Sequence, residues 1–314
     1  MTAKISVIGA GNVGSSMVQR LAEKNYADIV LLDIIEGLPQ GKALDIIESA
    51  PIVKFSSRII GTNSYKDTAD SDVVIITSGA GRKPGMTRDE LLQANMEIVI
   101  EVVKNIVKYS PDCIIVMVTN PVDALTRLAL SISRFPPNRI VGLSGVLDSA
   151  RLRYFISAEC GVPVGDVSAW TLGEHGNNMV IIPRLCKVSG KPLTEILSSE
   201  AVDRLIKRTI GGGAEIVNLL KTGSAFYAPS AAIARMLDAI VLDKKEVLPC
   251  SAYLRGEYGI EDAVICVPVK LGRKGIEQIV DIELTADEIV QLSRSAEAVR
   301  QLVKKMTPEE AEKD

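Results

Sequence analysis

Histidine is nearly absent from this chain: among 314 residues there is one, His175. A single histidine excludes HExxH helices, Cys2His2 fingers and every two-histidine metal site, so no metal cofactor is expected. Any histidine chemistry must use His175. Cysteine is sparse too. The five cysteines (Cys113, Cys160, Cys186, Cys250 and Cys266) are odd in number, widely spaced and contain no CxxC pair. That usage fits a reducing compartment, where buried thiols behave as small apolar groups. No apolar run reaches the roughly 18 residues of a membrane span, and the start, Met1-Thr2-Ala3-Lys4, lacks a signal peptide's basic and apolar regions. A cytoplasmic protein without a membrane partner is expected. There is no excess of charge of one sign either, with 36 Lys and Arg against 39 Asp and Glu, a formal net charge of −3. With aromatics at 4%, neither a basic stripe nor a stacking platform points to nucleic acid.

What is present is an ordered grammar. Lys4–Gly9, Ile29–Asp33, Val73–Thr77 and Cys113–Thr119 are short and rich in Ile and Val, as expected of parallel strands buried on both faces. Between them Val13–Lys24, Gln40–Glu48 and Arg88–Tyr109 carry apolar residues at helical spacing, and Ile140–Leu143 adds another strand. Such alternation predicts βαβ units. Beyond residue 146 the pattern changes: helices over Asp148–Glu159, Glu200–Lys221 and Pro229–Leu242, a strand over Val167–Leu172, and a hairpin of Val264–Leu271 and Ile276–Leu284 around Gly272–Gly275. A last helix, Ala286–Lys305, follows the N-cap candidate Thr285. The expected fold class is therefore α/β, a Rossmann-type doubly wound parallel sheet over residues 1–145, followed by a mixed α+β substrate half over 146–314.

Gly9-Ala10-Gly11-Asn12-Val13-Gly14 lies between the first strand and first helix. Glycines there permit a tight turn and close backbone approach to a pyrophosphate, and the helix N-terminus supplies N–H donors. Asp33 follows 19 residues after Gly14, at the end of the second strand, where an acid accepts from ribose hydroxyls. Taken alone, GxGxxG is as often a plain turn; the strand, the helix and Asp33 together point to a dinucleotide. Asp33 repels a 2′-phosphate and Ile34-Ile35 offers no arginine to hold one, which favours NAD over NADP.

Three further segments carry candidate chemistry. The loop Gly79–Arg88 holds Arg82, Lys83 and Arg88 between glycines, after a sheet strand; a solvated basic loop is the bland alternative to an anion-binding lid. Asn120, in Thr119-Asn120-Pro121-Val122-Asp123, is either a turn former or a donor at a strand's carboxyl end. Asp148 and Arg151 are three apart on a predicted helix, where an exposed ion pair of little worth is the usual reading. His175 sits in Gly173-Glu174-His175-Gly176, and its contact with Asp148 is not deducible from sequence.

Taken in order, GAGNVG, RKPGMTRDELL, TNPVD, GVLDSARLR, GEHG and GSAFYAPS resemble the NAD-dependent lactate/malate dehydrogenases, in particular the lactate-dehydrogenase-like malate dehydrogenases of prokaryotes. The resemblance runs from the first strand to the last helix. It implies that Gly9, Ala10, Gly11, Asn12, Val13 and Gly14 hold the NAD pyrophosphate, that Asp33 holds the adenosine ribose, and that Asn95, Val118, Thr119 and Asn120 contact cofactor. It implies that Arg151 clamps the substrate C1 carboxylate in a bidentate pair. Arg88 would polarise the reacting carbonyl, Asn120 would orient substrate, His175 would be the proton acceptor and donor, and Asp148 would orient the imidazole. A homo-oligomer, dimer or tetramer, is also implied.

In that family the position six residues before the loop arginine selects the substrate, Gln for lactate and Arg for malate. Here it is Arg82. Its cation pairs with the second carboxylate of a C4 dicarboxylate, whereas pyruvate leaves it enclosed without a partner, at a cost of about 3–5 kcal/mol. Malate/oxaloacetate is the expected substrate pair, and a lactate or broader 2-hydroxyacid dehydrogenase is the alternative. Ala225 agrees with malate; Glu174 and Asn177 depart from the common malate-type pattern. A non-catalytic NAD sensor on the same fold is the alternative from another class. It would need the glycine loop and Asp33, but not His175, Asp148, Arg88 and Arg151 together. Gly211-Gly212-Gly213 inside a helical pattern reads as either a hinge or a close-packing site.

Overall fold

The Ile- and Val-rich runs become strands because both of their faces are covered. In the computed structural model, whose described residues are 2–80 and 88–306 (for Arg88 the backbone alone), the first half runs β1 (Ala3–Ile8), α1 (Asn12–Lys24), β2 (Ala27–Leu32), α2 (Leu38–Glu48), α3 (Ala50–Val53) and β3 (Ile59–Thr62). It continues with β4 (Val73–Ile76), α4 (Arg88–Tyr109), β5 (Ile114–Met117), α5 (Val122–Ser133) and β6 (Ile140–Gly142). These six strands are parallel, in the order β3-β2-β1-β4-β5-β6. Alternate residues enter different cores. Val73 and Ile75 pack with Met17 and Leu21 of α1, while Val74 and Ile76 pack with Val99 and Val103 of α4 and Leu125 of α5. The order reverses between β1 and β4, so the loops after these two strands diverge and leave a crevice at their carboxyl ends.

The second half comprises α6 (Gly145–Cys160), β7 (Val167–Ser168), β8 (Thr171–Gly173), β9 (Met179–Ile181), β10 (Lys187–Val188), β11 (Lys191–Pro192), α7 (Ser199–Leu220), α8 (Tyr227–Val241), β12 (Glu246–Arg255), β13 (Glu261–Gly272), β14 (Gly275–Ile279) and α9 (Ala286–Met306). The large sheet continues through β6 into antiparallel β12, β13, β8 and β9, with β14 on β13. The joint is narrow, a single Gly142–Ser251 pair. Strands β11, β10 and β7 form a separate three-stranded sheet. Helix α1 packs on α8, tied by Lys24 to Asp238 at 2.8 Å and by Arg20 Nε donating to Ser230 Oγ at 3.0 Å.

The expected α/β grammar is present, with corrections. Val167–Leu172 is not one strand: the chain breaks at Ala169-Trp170, sending β7 to the small sheet and β8 to the large one. Strand β14 ends at Ile279, not Leu284. Seven elements carried too weak a signal to be read: α3, the edge strand β3, helix α5, the short strands β9, β10 and β11, and strand β12. Pro249 argues against a strand interior, yet it faces Pro268 across the ladder, a pair in which neither residue has an N–H to offer the other. Thr285 does cap α9. The Glu288 N–H donates to Thr285 Oγ1 at 3.3 Å and the Thr285 N–H donates to Glu288 Oε2 at 2.8 Å, a reciprocal capping box. Among the described residues no helix is long and apolar enough to cross a membrane. Of the five thiols, four are buried, and burial pushes Cys186 up to about 11 and Cys113 up to about 12, consistent with apolar filling.

Candidate active site

The glycine loop is shaped by close contacts on one side and open space on the other. Gly9 has φ +107°, and a Cβ there would fall 2.7 Å from the Ser78 nitrogen; a Cβ at Gly14 would fall 1.9 Å from the Gly9 carbonyl oxygen. Strand and helix therefore meet at van der Waals distance. At Gly11 a Cβ would meet nothing within 4 Å. That is the side on which a bulky anion can approach the first amides of α1, which have no partner within the helix. The Ala10 N–H donates to Asp33 Oδ2 at 2.7 Å and the Ile35 N–H to Asp33 Oδ1 at 3.0 Å, fixing the carboxylate beside the loop. Lys42 of α2, a residue the sequence did not single out, donates from Nζ to the Ala10 carbonyl at 2.6 Å.

The loops after β4 and β5 close the crevice. Asn95, buried on α4, accepts at Oδ1 from the Ala80 N–H (2.7 Å) and donates from Nδ2 to the Asn120 carbonyl (2.8 Å). Thr119 donates to the Ser78 carbonyl at 2.6 Å. Val118, Thr119 and Asn120 are thus held beside Gly79 and Ala80, and the Asn120–Pro121 bond is cis. The Ser78 hydroxyl, next to Gly9, is buried with no partner among the described residues. Both the open side at Gly11 and this orphaned hydroxyl fit a dinucleotide.

On α6, Asp148 and Arg151 do form a pair, but not the exposed one expected of a solvated helix face. Asp148 is buried, its side chain 2% exposed, and Arg151 Nη1 donates to its Oδ1 at 3.0 Å. The Arg151 Nε–H is buried without a partner among the described residues, an arrangement that suits an incoming carboxylate. The guanidinium lies along α7, where a Cβ at Gly212 would come within 3.2 Å of Arg151 Cδ and one at Gly213 within 3.9 Å of Nη2. Within the glycine run Gly212 packs tightly against Arg151, whereas Gly211 faces open space.

His175 joins this group from a distant segment. Its Nδ1 is 2.5 Å from Asp148 Oδ2. The Asp148 carboxylate accepts, so Nδ1 carries the hydrogen and Nε2 is left for a ligand. Burial opposes the charged imidazolium, but the charge and hydrogen bond of Asp148, with Asp123 behind, outweigh it and hold the pKa above the ordinary 6.5. The backbone is held as firmly. The Glu174 N–H donates to Ser295 Oγ of α9 at 2.5 Å, and the His175 N–H donates to Asp123 Oδ2 of α5 at 2.7 Å. Asp123 was seen in the sequence only as part of a turn; its partner Ser251 lies on the unread strand β12.

The structure therefore groups His175 with Asp148 and Arg151, and the glycine loop with Asp33, Asn95 and Thr119. Arg82 lies outside the described residues, as does the side chain of Arg88. A separate cleft of about 1000 Å³ opens at the amino ends of β1 and β4, lined by Lys4, Tyr26 and Arg139. It is at the opposite end of the strands from Gly9, and two of its cations are engaged by backbone: Lys4 Nζ donates to the Ala69 carbonyl and Arg139 to the Pro111 carbonyl.

Residues 3–142 match the family model of the lactate/malate dehydrogenase NAD binding domain, and residues 145–311 match that of the alpha/beta C-terminal domain. A malate dehydrogenase of Dehalococcoides mccartyi is 54% identical over 297 residues, spanning 95% of this chain and 97% of the relative. The structure of malate dehydrogenase from Salinibacter ruber superimposes with a TM-score of 0.93 at 46% identity, covering 99% and 100% of the two chains. A lactate dehydrogenase from Cryptosporidium parvum, solved with lactic acid and NAD, gives 0.94 at 38% identity, covering 98% and 99%.

Proposed function

The chain belongs to the lactate/malate dehydrogenase family, and from that membership we propose that it is a malate dehydrogenase, an NAD-dependent oxidoreductase interconverting (S)-malate and oxaloacetate. The observation that carries the catalytic reading is the buried His175–Asp148–Arg151 group, in which one carboxylate orients both a base and a carboxylate clamp. A cofactor sensor has no use for it.

In malate oxidation the Arg151 guanidinium holds the C1 carboxylate through the donors not used by Asp148. Arg82 pairs with the C4 carboxylate, Arg88 polarises the C2 oxygen and Asn120 orients it. His175 Nε2 takes the hydroxyl proton as the C2–H bond breaks; the imidazolium so formed is stabilised by Asp148 at Nδ1. Bound NAD supplies the hydride acceptor. In reverse, His175 returns the proton to the oxaloacetate carbonyl. The segment Gly9, Ala10, Gly11, Asn12, Val13 and Gly14 lies along the pyrophosphate, Asp33 accepts from the adenosine ribose, and Asn95 with Val118, Thr119 and Asn120 shapes the nicotinamide side. Asp33, fixed by two amides, disfavours a 2′-phosphate, so NAD is preferred over NADP.

The division of labour falls near residue 145, with cofactor before it and substrate chemistry after it; the two family models meet between 142 and 145 in support. Leu44, Ile52 and Val53 are exposed on α2 and α3, which supports a homo-oligomer, dimer or tetramer, resolvable by light scattering. The protein works in the cytoplasm, as its unpaired thiols suggest. Steady-state kinetics with oxaloacetate and pyruvate, each with NADH and NADPH, test the assignment. A higher kcat/KM for oxaloacetate with NADH is expected; a higher value for pyruvate overturns it in favour of a lactate dehydrogenase.

A further inference from the structure

Against the His175 backbone the chain buries a second carboxylate. Asp123 is 3% exposed, and both hydrogen bonds its side chain accepts come from parts of the molecule far away in sequence. Its Oδ2 accepts from the His175 N–H at 2.7 Å and its Oδ1 accepts from the Ser251 hydroxyl at 2.5 Å. Ser251 sits where the two halves of the sheet join, opposite Gly142, with the Ser144 hydroxyl 2.8 Å away. The Ser251 and His175 donors thus converge on Asp123 from opposite ends, with the Ser144 hydroxyl beside Ser251. Asp123 also lies in the first turn of α5, where the helix end favours an anion.

We propose that Asp123 is a positioning residue for the proton transfer: its buried carboxylate fixes the His175 backbone and is the second negative charge, after Asp148, that favours the imidazolium. The proposal deepens the malate dehydrogenase reading and rests on it for the identity of the proton donor. Among the described residues the charged and titratable groups facing His175 are Asp148 and Arg151 from α6 and Asp123 from α5; Glu174 of the His175 loop and Cys266 of β13 face Asp123. Burial and Arg151 oppose the imidazolium, while Asp148 and then Asp123 favour it. A purely structural Asp123 would matter for folding and leave the imidazole titration alone.

His175 being the only histidine, a protein labelled with 13C in its histidine rings and carrying no tag gives one imidazole signal, readable without turnover. Asp123→Asn keeps both hydrogen bonds, since the amide oxygen accepts from the His175 N–H and the amide nitrogen donates to Ser251, and removes only the charge. The expected result is a fall in the imidazole midpoint of roughly half a unit or more, with the acid limb of kcat/KM for malate oxidation moving to lower pH by the same amount and NADH affinity unchanged. Ser251→Ala, which weakens the anion without touching the His175 loop, lowers the midpoint less. An unmoved midpoint in folded Asp123→Asn overturns the proposal; if that variant does not fold, an unmoved midpoint in Ser251→Ala does so. Failure of the malate reading would show instead as absent oxaloacetate turnover in the parent, with the titration unaffected.

Discussion

Asp148 Oδ2 and His175 Nδ1 stand 2.5 Å apart although 27 positions separate them, and the carboxylate is the more deeply buried partner, 2% exposed against 15%. The pair forms because α6 runs beneath β8 and presents Asp148 to the loop that follows it. Its effect has a sign. The pKa of His175 is raised, so malate oxidation, which needs neutral imidazole, gains activity as pH rises through that value, and oxaloacetate reduction loses it.

Asp148→Asn removes both the charge and the fixed orientation. The pKa of His175 then falls, the oxidation limb moves to lower pH, and kcat drops by about 10²–10⁴, the usual range for a lost acid–base contribution. His175→Asn should abolish the ionisation while NADH still binds. A pH–rate profile of Asp148→Asn that superimposes on the parent would falsify the orienting role.

Much of this site was legible in the residues. GAGNVG with Asp33 at the right distance named a dinucleotide loop, and the resemblance supplied the roles of Asp148, Arg151 and His175. The contacts that hold them were not legible, because they are long-range. Asp123 acquires its meaning only when β12 passes beside it, and β12 hides behind Pro249. Ser295 lies on the outside of nothing in the sequence pattern, yet it accepts from the Glu174 N–H. Strand β3 escaped notice for a different reason, being four residues at a sheet edge and containing Gly61, where a Cβ would fall 2.2 Å from the Pro39 carbonyl oxygen. Periodicity reports faces of elements, not the neighbours those faces meet.

In the proposed function Arg82 selects the substrate, and on that reading Arg82→Gln would remove the partner of the second carboxylate and the charge that pyruvate leaves uncompensated. The ratio of kcat/KM for oxaloacetate to that for pyruvate should fall by roughly a hundred-fold to several thousand-fold, the equivalent of about 3–5 kcal/mol. An unchanged ratio would mean that another residue reads the second carboxylate.

The glycines of α7 separate packing from propensity. Gly211 faces open space, whereas Gly212 supports Arg151. Gly→Ala in a helix interior stabilises by up to about 1 kcal/mol. Gly211→Ala should therefore raise Tm by a few degrees with unaltered kinetics. Gly212→Ala must move Arg151 Cδ by a few tenths of an ångström and should raise KM for malate several-fold, leaving KM for NAD unchanged. Equal KM values for the two variants would remove the packing surface from the account.

Stability should also report on Asp123. Burial lifts its pKa from the ordinary 3.8 to about 6, although the Ser251 hydroxyl and the His175 N–H pull the other way. A carboxyl whose pKa is raised on folding binds its proton more tightly in the folded state. The stability contributed by this group is thus greatest below the unfolded value and declines as pH rises from there through about 6. The raised pKa of His175 acts in the same sense, its contribution being complete below the unfolded value and lost through the folded one. Asp123→Asn keeps the hydrogen bonds and has no charge to bury, so its stability relative to the parent should rise between pH 4 and pH 7, by up to about 3 kcal/mol at 1.36 kcal/mol per unit. Urea midpoints of both proteins at pH 4 and pH 7 measure this. A difference that does not change with pH would show that Asp123 folds at its ordinary pKa, its two donors fully offsetting the cost of burial.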